Sequence, residues 1–559
     1  MTLKALADEI TARGRGPLIA ALMALLASLP TLFTLPPIDR DESRFAEASA
    51  QMLESGDFTT IMFQDQPRFK KPVGIYWLQA LSVKLFSSSE RREVWAYRIP
   101  SVLGAMLAAA ACVWGAAAFL PAWAATLSGV LLASATVLAT ESTLAATDAA
   151  LCGAVTLAMA ALARIYLAAP GGPPASRWVK LLFWSGVSAS VLLKGPIGPL
   201  VAALACAVLA LWDRRTAWLK TLGWSWGLIL FAAVTLPWAM AVTVATDGAF
   251  WGMAVGGDLA PKLLGGQEGH GAPPGYYALL SPLLLFPAAL ILPAALAAGW
   301  ARRAEPGVRF AIAWLVPTWV LFELVPTKLP HYTLPVFGAL AWLMAAALER
   351  PVGRLSRWGG AALLAVGAVG FGGFGLYAAY AYGDVASRSW ALLAALFLAA
   401  AAIGGGVAMF KGRAATGAVL ACALGVFGHD LILGVVGPSL QPLWLSHRVA
   451  QALAGAGISP RQGLAEAPVT VAGYGEPSIV FELGARTELA DAAAAAQAIG
   501  EGRPAVVEGH EQRAFQSSLA GQDLAARLTG VVAGLDYSTG KRQILRIYAP
   551  VPDQPPPEP

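Results

Sequence analysis

Apolar runs of 18 or more residues recur from Pro17 to Pro438. In hydrocarbon every backbone N–H and C=O must be satisfied within the chain, so such runs fold as helices, each needing ~20 residues to cross a core of ~30 Å. Runs that fit spanning helices fall at about 17–36, 97–119, 122–140, 145–168, 178–193, 197–212, 219–245, 277–300, 308–326, 332–348, 359–382, 389–410 and 415–437, thirteen in all. The chain is 57% apolar and 13% charged, against about 25% charged in a soluble domain. A purely soluble protein is excluded, and the expected class is an α-helical polytopic membrane protein. The formal charge of +5 does not point to nucleic acid, because the basic residues stand in short segments between apolar runs and form no block with interleaved aromatics.

With a cytoplasmic N-terminus, alternate connections carry Arg177 and Lys180, Arg214, Arg215 and Lys220, Arg302, Arg303 and Arg309, Arg350, Arg354 and Arg357, and Lys411 and Arg413. That is a positive-inside pattern. Cys112, Cys152, Cys206 and Cys422 all lie inside apolar runs without a CxxC pair and read as small buried hydrophobes. No small-residue cleavage pattern precedes Pro36 and Pro37, so the first run is expected to be a retained anchor.

The first connection on the other side, 37–96, breaks the charge rule. It carries Arg40, Arg44, Arg68, Lys70, Lys71, Lys84, Arg91 and Arg92 among Asp39, Asp41, Glu42, Glu47, Glu54, Asp57, Asp65, Glu90 and Glu93, a nearly balanced set that reads as a working surface. DESRFAEASAQMLESGD is expected to form a helix capped by Asp39 or Asp41 and ended by Gly56. Its stripe of Phe45, Ala48, Ser49 and Met52 should lie on the membrane surface. A second interfacial helix should begin at KKPVGIYWLQALSVKLF, with Pro72 in its first turn and Tyr76 and Trp77 at headgroup depth. An odd span count places the final segment, about 445–559, on the same side. It has the composition of a small α/β module, with strands expected at 468–474, 478–483 and 504–509, a hairpin around Ser538 to Gly540, and a disordered tail VPDQPPPEP.

Asp41 opens the first interfacial helix, where the helix dipole favours an ionised carboxylate. Such a group can take a proton from an attacking hydroxyl, assistance worth roughly 10²- to 10⁴-fold. The competing structural reading is an N-cap or an i, i+3 partner of Arg44. Asp148 stands inside an otherwise apolar span, and intramembrane carboxylates face a cavity or a partner. Glu141, seven residues earlier, is expected to be a contact between helices. Lys70 and Lys71 before Pro72, Lys194 in LLKGPIGPL, and Lys328 with His331 and Tyr332 in PTKLPHYTLP all stand at span boundaries on the same side. Ammonium groups there bind phosphate or snorkel to headgroups, and the shared sidedness points to one phosphate-handling cavity. His429 and Asp430, and Glu476 in GYGEPSIVF, could reach that cavity or serve only packing and loop structure.

There is no GxxxxGK[ST], strand-borne GxGxxG, HExxH or GxSxG, so nothing supports nucleotide hydrolysis, a dinucleotide cofactor, a zincin centre or a hydrolase elbow. The five histidines form no metal-spaced motif; no metal site is expected, and no cofactor is certain.

Taken together, IDRDESRFAEASAQMLESGDF, FKKPVGIYWLQA, TLAATDAAL, LLKGPIGPL, TKLPHYTLPVFGALA and YGEPSIVFELG resemble, in order, the polytopic glycosyltransferases related to protein O-mannosyltransferases, and most of all the bacterial aminoarabinose transferases that modify lipid A. The resemblance implies a GT-C fold of thirteen spans in the bacterial inner membrane, with residues 1–444 as the transferase domain and 445–559 as a periplasmic domain. It implies a sugar donor on undecaprenyl phosphate and an acceptor that is lipid A, another glycolipid or a protein, reached by inverting displacement. It makes Asp41 the catalytic carboxylate with Arg44 beside it, Asp148 a second active-site carboxylate, and Lys71 the holder of the donor phosphate. Lys194 or Lys328 would help hold that phosphate, His331 and Tyr332 would lie near it, and Glu476 is a weaker transfer. The aminoarabinose branch has an acidic residue where this chain has Lys70, which removes a metal ligand. The rival from another class is a lipid or sugar transporter or flippase, which predicts internal repeats and charges along a path to both faces. No convincing repeat is present, and the polar residues cluster on one side. A structural partner in an envelope complex, the third reading, predicts no turnover.

Overall fold

The computed structural model describes residues 11, 14–168, 174–266, 269–460 and 468–551, and helix meets each of the thirteen apolar runs. Among the described residues, eight helices are long and apolar enough to cross a membrane, or ten if each of two bent pairs is one span. The remaining runs fall short for visible reasons. Arg177–Lys194 carries Arg177, Lys180 and Lys194; Ile197–Asp213 has 17 residues; Phe337–Ala347 has 11 and follows a 3-10 turn, Pro330–Val336.

The bent pairs are Ala122–Ser134 with Thr136–Ser142, at 63°, and Tyr276–Leu284 with Ala288–Ala301, at 116°. A broken helix is tolerated in a membrane only where its freed backbone groups find partners. Here the two breaks satisfy each other, since the backbone N–H and the hydroxyl of Thr136 both donate to the carbonyl of Phe286 at 2.8 Å.

Four helices position the loop end of the bundle: α1 (Asp41–Ser55), α2 (Gly74–Phe86), α3 (Val94–Ala116) and α4 (Asp148–Leu167). Helices α3 and α4 meet backbone to backbone. A Cβ on Gly104 would stand 2.4 Å from the Cα of Ala150, and one on Gly153 would stand 2.5 Å from the Gly104 carbonyl oxygen. At the far end of α4, Tyr166 donates to Asp213, which also takes Arg309. Asp148 and Tyr166, eighteen residues apart on one helix, are separated by about 27 Å at 1.5 Å per residue, close to one hydrocarbon thickness.

Helix α1 ends at Gly56 (φ 74°) as expected, but neither Asp39 nor Asp41 caps it; the cap position is Arg40. Nor does the helix lie on a free membrane surface. Phe45 packs on Tyr76 with ring centroids 5.4 Å apart, and Ser49 donates to Gln79. An adjoining face, Ala46 and Ala50, packs with Phe481 of the C-terminal module. Tyr76 is correspondingly buried, while Trp77 is partly exposed. Arg98 of α3, fully buried, donates to both carboxylate oxygens of Glu42 (2.8 and 2.9 Å) and to the carbonyls of Leu35 and Pro36.

The C-terminal segment begins with helix Leu445–Gly455 and holds a five-stranded sheet. Its strands are β1 (Thr470–Ala472), β2 (Glu488–Ala490), β3 (Ala505–Glu508), β4 (Ala526–Asp536) and β5 (Lys541–Pro550), in the order β2-β1-β3-β5-β4. β1 runs parallel to β2 and β3, and β5 runs antiparallel to β3 and β4. One correction concerns 478–483, expected as a strand. It is helix α5 (Pro477–Leu483), with proline at its first position and every residue buried. An apolar run buried all round has no alternating pattern to distinguish strand from helix, and Pro477 favours a helix start. Most of the tail, residues 552–559, lies outside the described residues.

Removing one partner from a buried ion pair leaves an uncompensated charge and costs about 3–5 kcal/mol. Arg98→Leu should therefore lower the melting temperature of the detergent-purified protein strongly, and Glu42→Gln, which keeps an acceptor for the Arg98 guanidinium, should lower it less. A thermal melt of the two variants beside the parent checks the order.

Candidate active site

A cavity of about 250 Å³ opens at the loop end of the bundle, lined by three groups of paired charges. The first surrounds Asp41. This residue starts α1, so its carboxylate sits at the positive end of the helix dipole, and its side chain is 67% exposed into the cavity. The nearest cation is Arg68, not Arg44. The Arg68 Nη2 lies 3.5 Å from Asp41 Oδ1, and the guanidinium is buried over the Phe45 ring at 5.0 Å. So long a contact leaves the Asp41 oxygens open to a substrate proton. Arg40, just before Asp41, has φ 71° and ψ −113°, a conformation that costs a non-glycine residue about 1–3 kcal/mol.

The second group is built by two helix ends and the turn at 330–336. Asp148 begins α4, and Thr147 donates to its Oδ2. The Lys194 ammonium, in the last turn of Arg177–Lys194, lies 2.5 Å from Asp148 Oδ1 and 4.8 Å over the ring of Tyr332. His331 stands between two carboxylates, its Nδ1 3.0 Å from Glu141 and its Nε2 3.7 Å from Asp148. Glu141 thus faces the cavity rather than serving only as a contact between helices. One ligand atom each from Glu141, Asp148 and His331 lies within 4.8 Å of the others, so the three could hold a divalent cation. To do so, Asp148 would have to exchange the Lys194 ammonium for the metal. No sequence motif announces this set, because its members come from three separated elements.

The third group was not foreseen from sequence. Asp258, in a π-helical turn at Gly252–Leu259, is bound by Lys71 (2.9 Å) and by Lys262 one turn on (2.6 Å). Two ammonium groups thus converge on one carboxylate, as they would on a phosphate. Lys70 and His270 also line the cavity.

Other candidate residues lie elsewhere. Arg44 is half-buried and does not line the cavity. Lys328 is buried with its ammonium donated to the carbonyls of Ala272 and Val325, so it holds a loop in place. His429 bonds Thr140 at 3.0 Å and faces Asp430 at 3.5 Å, and neither lines the cavity. Glu476 lies outside the lining and meets it through Arg40, at 3.7 Å. Burial, reinforced by Asp39 and Asp536 and opposed by Arg40, pushes its carboxyl up to about 7.

Fold and site together define a multi-pass membrane protein with its polar chemistry gathered at one end of the bundle. Residues 18–250 match the family model for dolichyl-phosphate-mannose-protein mannosyltransferase. The chain is 30% identical over 328 residues to an undecaprenyl phosphate-alpha-4-amino-4-deoxy-L-arabinose arabinosyl transferase of Aeromonas salmonicida, covering 56% of this chain and 58% of the relative. A Pseudomonas aeruginosa transferase of the same name is 31% identical over 329 residues, covering 57% and 58%. The matched region is thus under two thirds of these relatives' length. The crystal structure of ArnT from Cupriavidus metallidurans bound to undecaprenyl phosphate has the same fold, with a TM-score of 0.73 at 21% identity over 96% of this chain and 98% of that one. Over part of its length the chain is thus similar to these transferases, and its fold is the one seen in ArnT.

Burial pushes the Lys71 ammonium down to about 8; Asp258 opposes the shift, while Lys262 and Lys194 add to it. As pH rises through about 8 the cavity therefore loses a positive charge. Affinity for a lipid phosphate should fall by up to about tenfold per pH unit just above this value. Lys71→Arg, which stays charged, should flatten that limb, as titration of polyprenyl phosphate binding between pH 7 and 9.5 would show.

Proposed function

We propose that this protein is a polyprenyl-phosphate-sugar-dependent glycosyltransferase of the bacterial inner membrane. Its N-terminus is cytoplasmic, residues 1–444 form the transferase domain, and the active site and residues 445–559 face the periplasm. Undecaprenyl phosphate, the carrier in the relatives' names, is the assigned carrier here. The acceptor is a glycolipid such as lipid A, or a protein, presented at the same face. The observation that carries the reading is the opening of Asp41 and the Lys71–Lys262 pair into one cavity at the loop end of the helix bundle.

In the proposed reaction an acceptor hydroxyl attacks the anomeric carbon of the donor sugar. The bond from that carbon to the phosphate oxygen breaks, a bond to the acceptor oxygen forms with inversion, and the hydroxyl proton passes to Asp41. Lys71 and Lys262 exchange the Asp258 carboxylate for the donor phosphate and hold the charge that grows on it as it leaves, the preorganised electrostatic contribution that often dominates catalysis. Asp148 holds Lys194 and, with Glu141, His331, and these two with Tyr332 line the approach to the leaving phosphate. Arg68 faces the Asp41 carboxylate at 3.5 Å.

Asp41→Asn should reduce transfer from an undecaprenyl-phosphate sugar by roughly 10²- to 10⁴-fold, with the fold intact by thermal melt. Lys71→Ala should instead raise the donor KM. Transfer at the parent rate by purified Asp41→Asn would refute the assignment; lipid movement across vesicles without any transfer would point to a transporter.

A further inference from the structure

The chain reversal that delivers Asp41 to the cavity is held from outside the membrane part. Ile38 is tied back onto α1, its N–H donating to Glu42 and its carbonyl accepting from the Ser43 hydroxyl at 2.6 Å. Only Asp39 and Arg40 remain to close the reversal before the helix begins at Asp41. Arg40 closes it with a positive φ of 71° and a ψ of −113°, outside the left-handed well that other L residues can use. A conformation of this kind persists only where its surroundings over-determine it.

Those surroundings come from two turns of the C-terminal module. At the β4–β5 hairpin, the Asp39 N–H donates to the phenolic oxygen of Tyr537 at 2.8 Å, and Arg40 Nη2 donates to the Ser538 carbonyl at 3.4 Å. At the start of α5, the Ser478 N–H donates to Asp39 Oδ1 at 3.3 Å, and Glu476 lies 3.7 Å from Arg40 Nε. The hairpin turn is itself fixed by Asp536, which accepts from the N–H groups of Ser538 and Thr539 and from the Thr539 hydroxyl. Phe481 of α5 packs with Ala46 and Ala50 of α1 and edge-on against Tyr97, ring centroids 5.4 Å apart. The module therefore grips both α1 and the strap that precedes it, while neither Tyr537 nor Glu476 lines the cavity.

We propose that Tyr537 and Glu476 are positioning residues for Asp41: by clamping Asp39 and Arg40 they hold the strained reversal that aims the Asp41 carboxylate into the cavity. The C-terminal module is then part of the catalytic apparatus without touching the reacting atoms. The inference rests on the transferase reading for its kinetic consequence but not for its structural one, so the two can fail separately.

The test uses the full-length protein in nanodiscs. Tyr537→Phe removes one oxygen, and Glu476→Gln replaces the carboxyl facing Arg40 with an amide. Each is expected to lower kcat at least tenfold while leaving the donor KM within twofold, because the phosphate site at Lys71 and Lys262 is untouched. Hydrogen exchange, which needs no turnover, should show amides of residues 38–44 exchanging at least tenfold faster in Tyr537→Phe, with α4 unchanged. Parent-like exchange at 38–44 in both variants would overturn the proposal whatever the activity. So would a parent-like kcat in both beside an inactive Asp41→Asn, whereas full activity in Asp41→Asn would overturn the transferase assignment and leave the clamp to stand on the exchange result.

Discussion

The buried guanidinium of Arg98 organises the loop end of this protein. It gathers both oxygens of Glu42 and the carbonyls of Leu35 and Pro36, and Glu42 accepts in turn from the N–H groups of Ile38 and Ala145. One node thereby joins the end of the first span, the start of α1 and the turn leading into α4. Asp41 is the neighbour of Glu42, and Asp148 lies three residues beyond Ala145, so the two carboxylates are set relative to each other through this pair. A buried ion pair is a weak source of net stability, since desolvation offsets most of its Coulomb energy. Its worth here is registration: it fixes where two helices begin.

Around that node the cavity is charged almost everywhere, with opposite charges facing each other. Arg68 faces Asp41, Lys71 and Lys262 face Asp258, and Lys194 and His331 face Asp148 and Glu141. Every one of these ion pairs joins separate parts of the chain except Asp258 with Lys262, so the fold must be complete before the charges can meet. At the far end of α4 the charges of Asp213 and Arg309 only tie helix ends together. The same residue types thus serve anchoring at one end and a working cavity at the other.

What the sequence made legible follows from what leaves a local trace. The membrane class could be read from apolar runs, and Asp41, Lys71 and Asp148 from charges that an apolar or interfacial setting makes conspicuous. The hairpin of β4 and β5 announced itself through alternation and a glycine turn. Asp258 and Lys262 escaped notice because they stand in a polar connection, where an i, i+4 pair is ordinary, and their meaning comes only from Lys71, 187 residues away in sequence. Arg68 was one basic residue among eight in its loop, and only packing over Phe45 singles it out. Lys328 shows the opposite error: a lysine at the right boundary whose ammonium is occupied by carbonyls. The apolar runs located the helices but not the breaks within two of them, because an apolar run does not reveal where a helix bends, and the two bends are stabilised by each other through Thr136 and Phe286.

The carboxylate between Lys71 and Lys262 also bears on selectivity. Because Asp258 is part of the chain, it competes for the two ammonium groups at the effective concentration of a tethered group, on the order of millimolar for short flexible tethers, whatever the anions in the surrounding medium. Inorganic phosphate and the headgroups of common bilayer lipids meet a seat already taken. An anion that also anchors itself by a long hydrocarbon tail along the helices brings a tether of its own and competes on equal terms. In the proposed cycle the same carboxylate stands ready when the spent carrier must leave, so entry and release draw on one internal ligand.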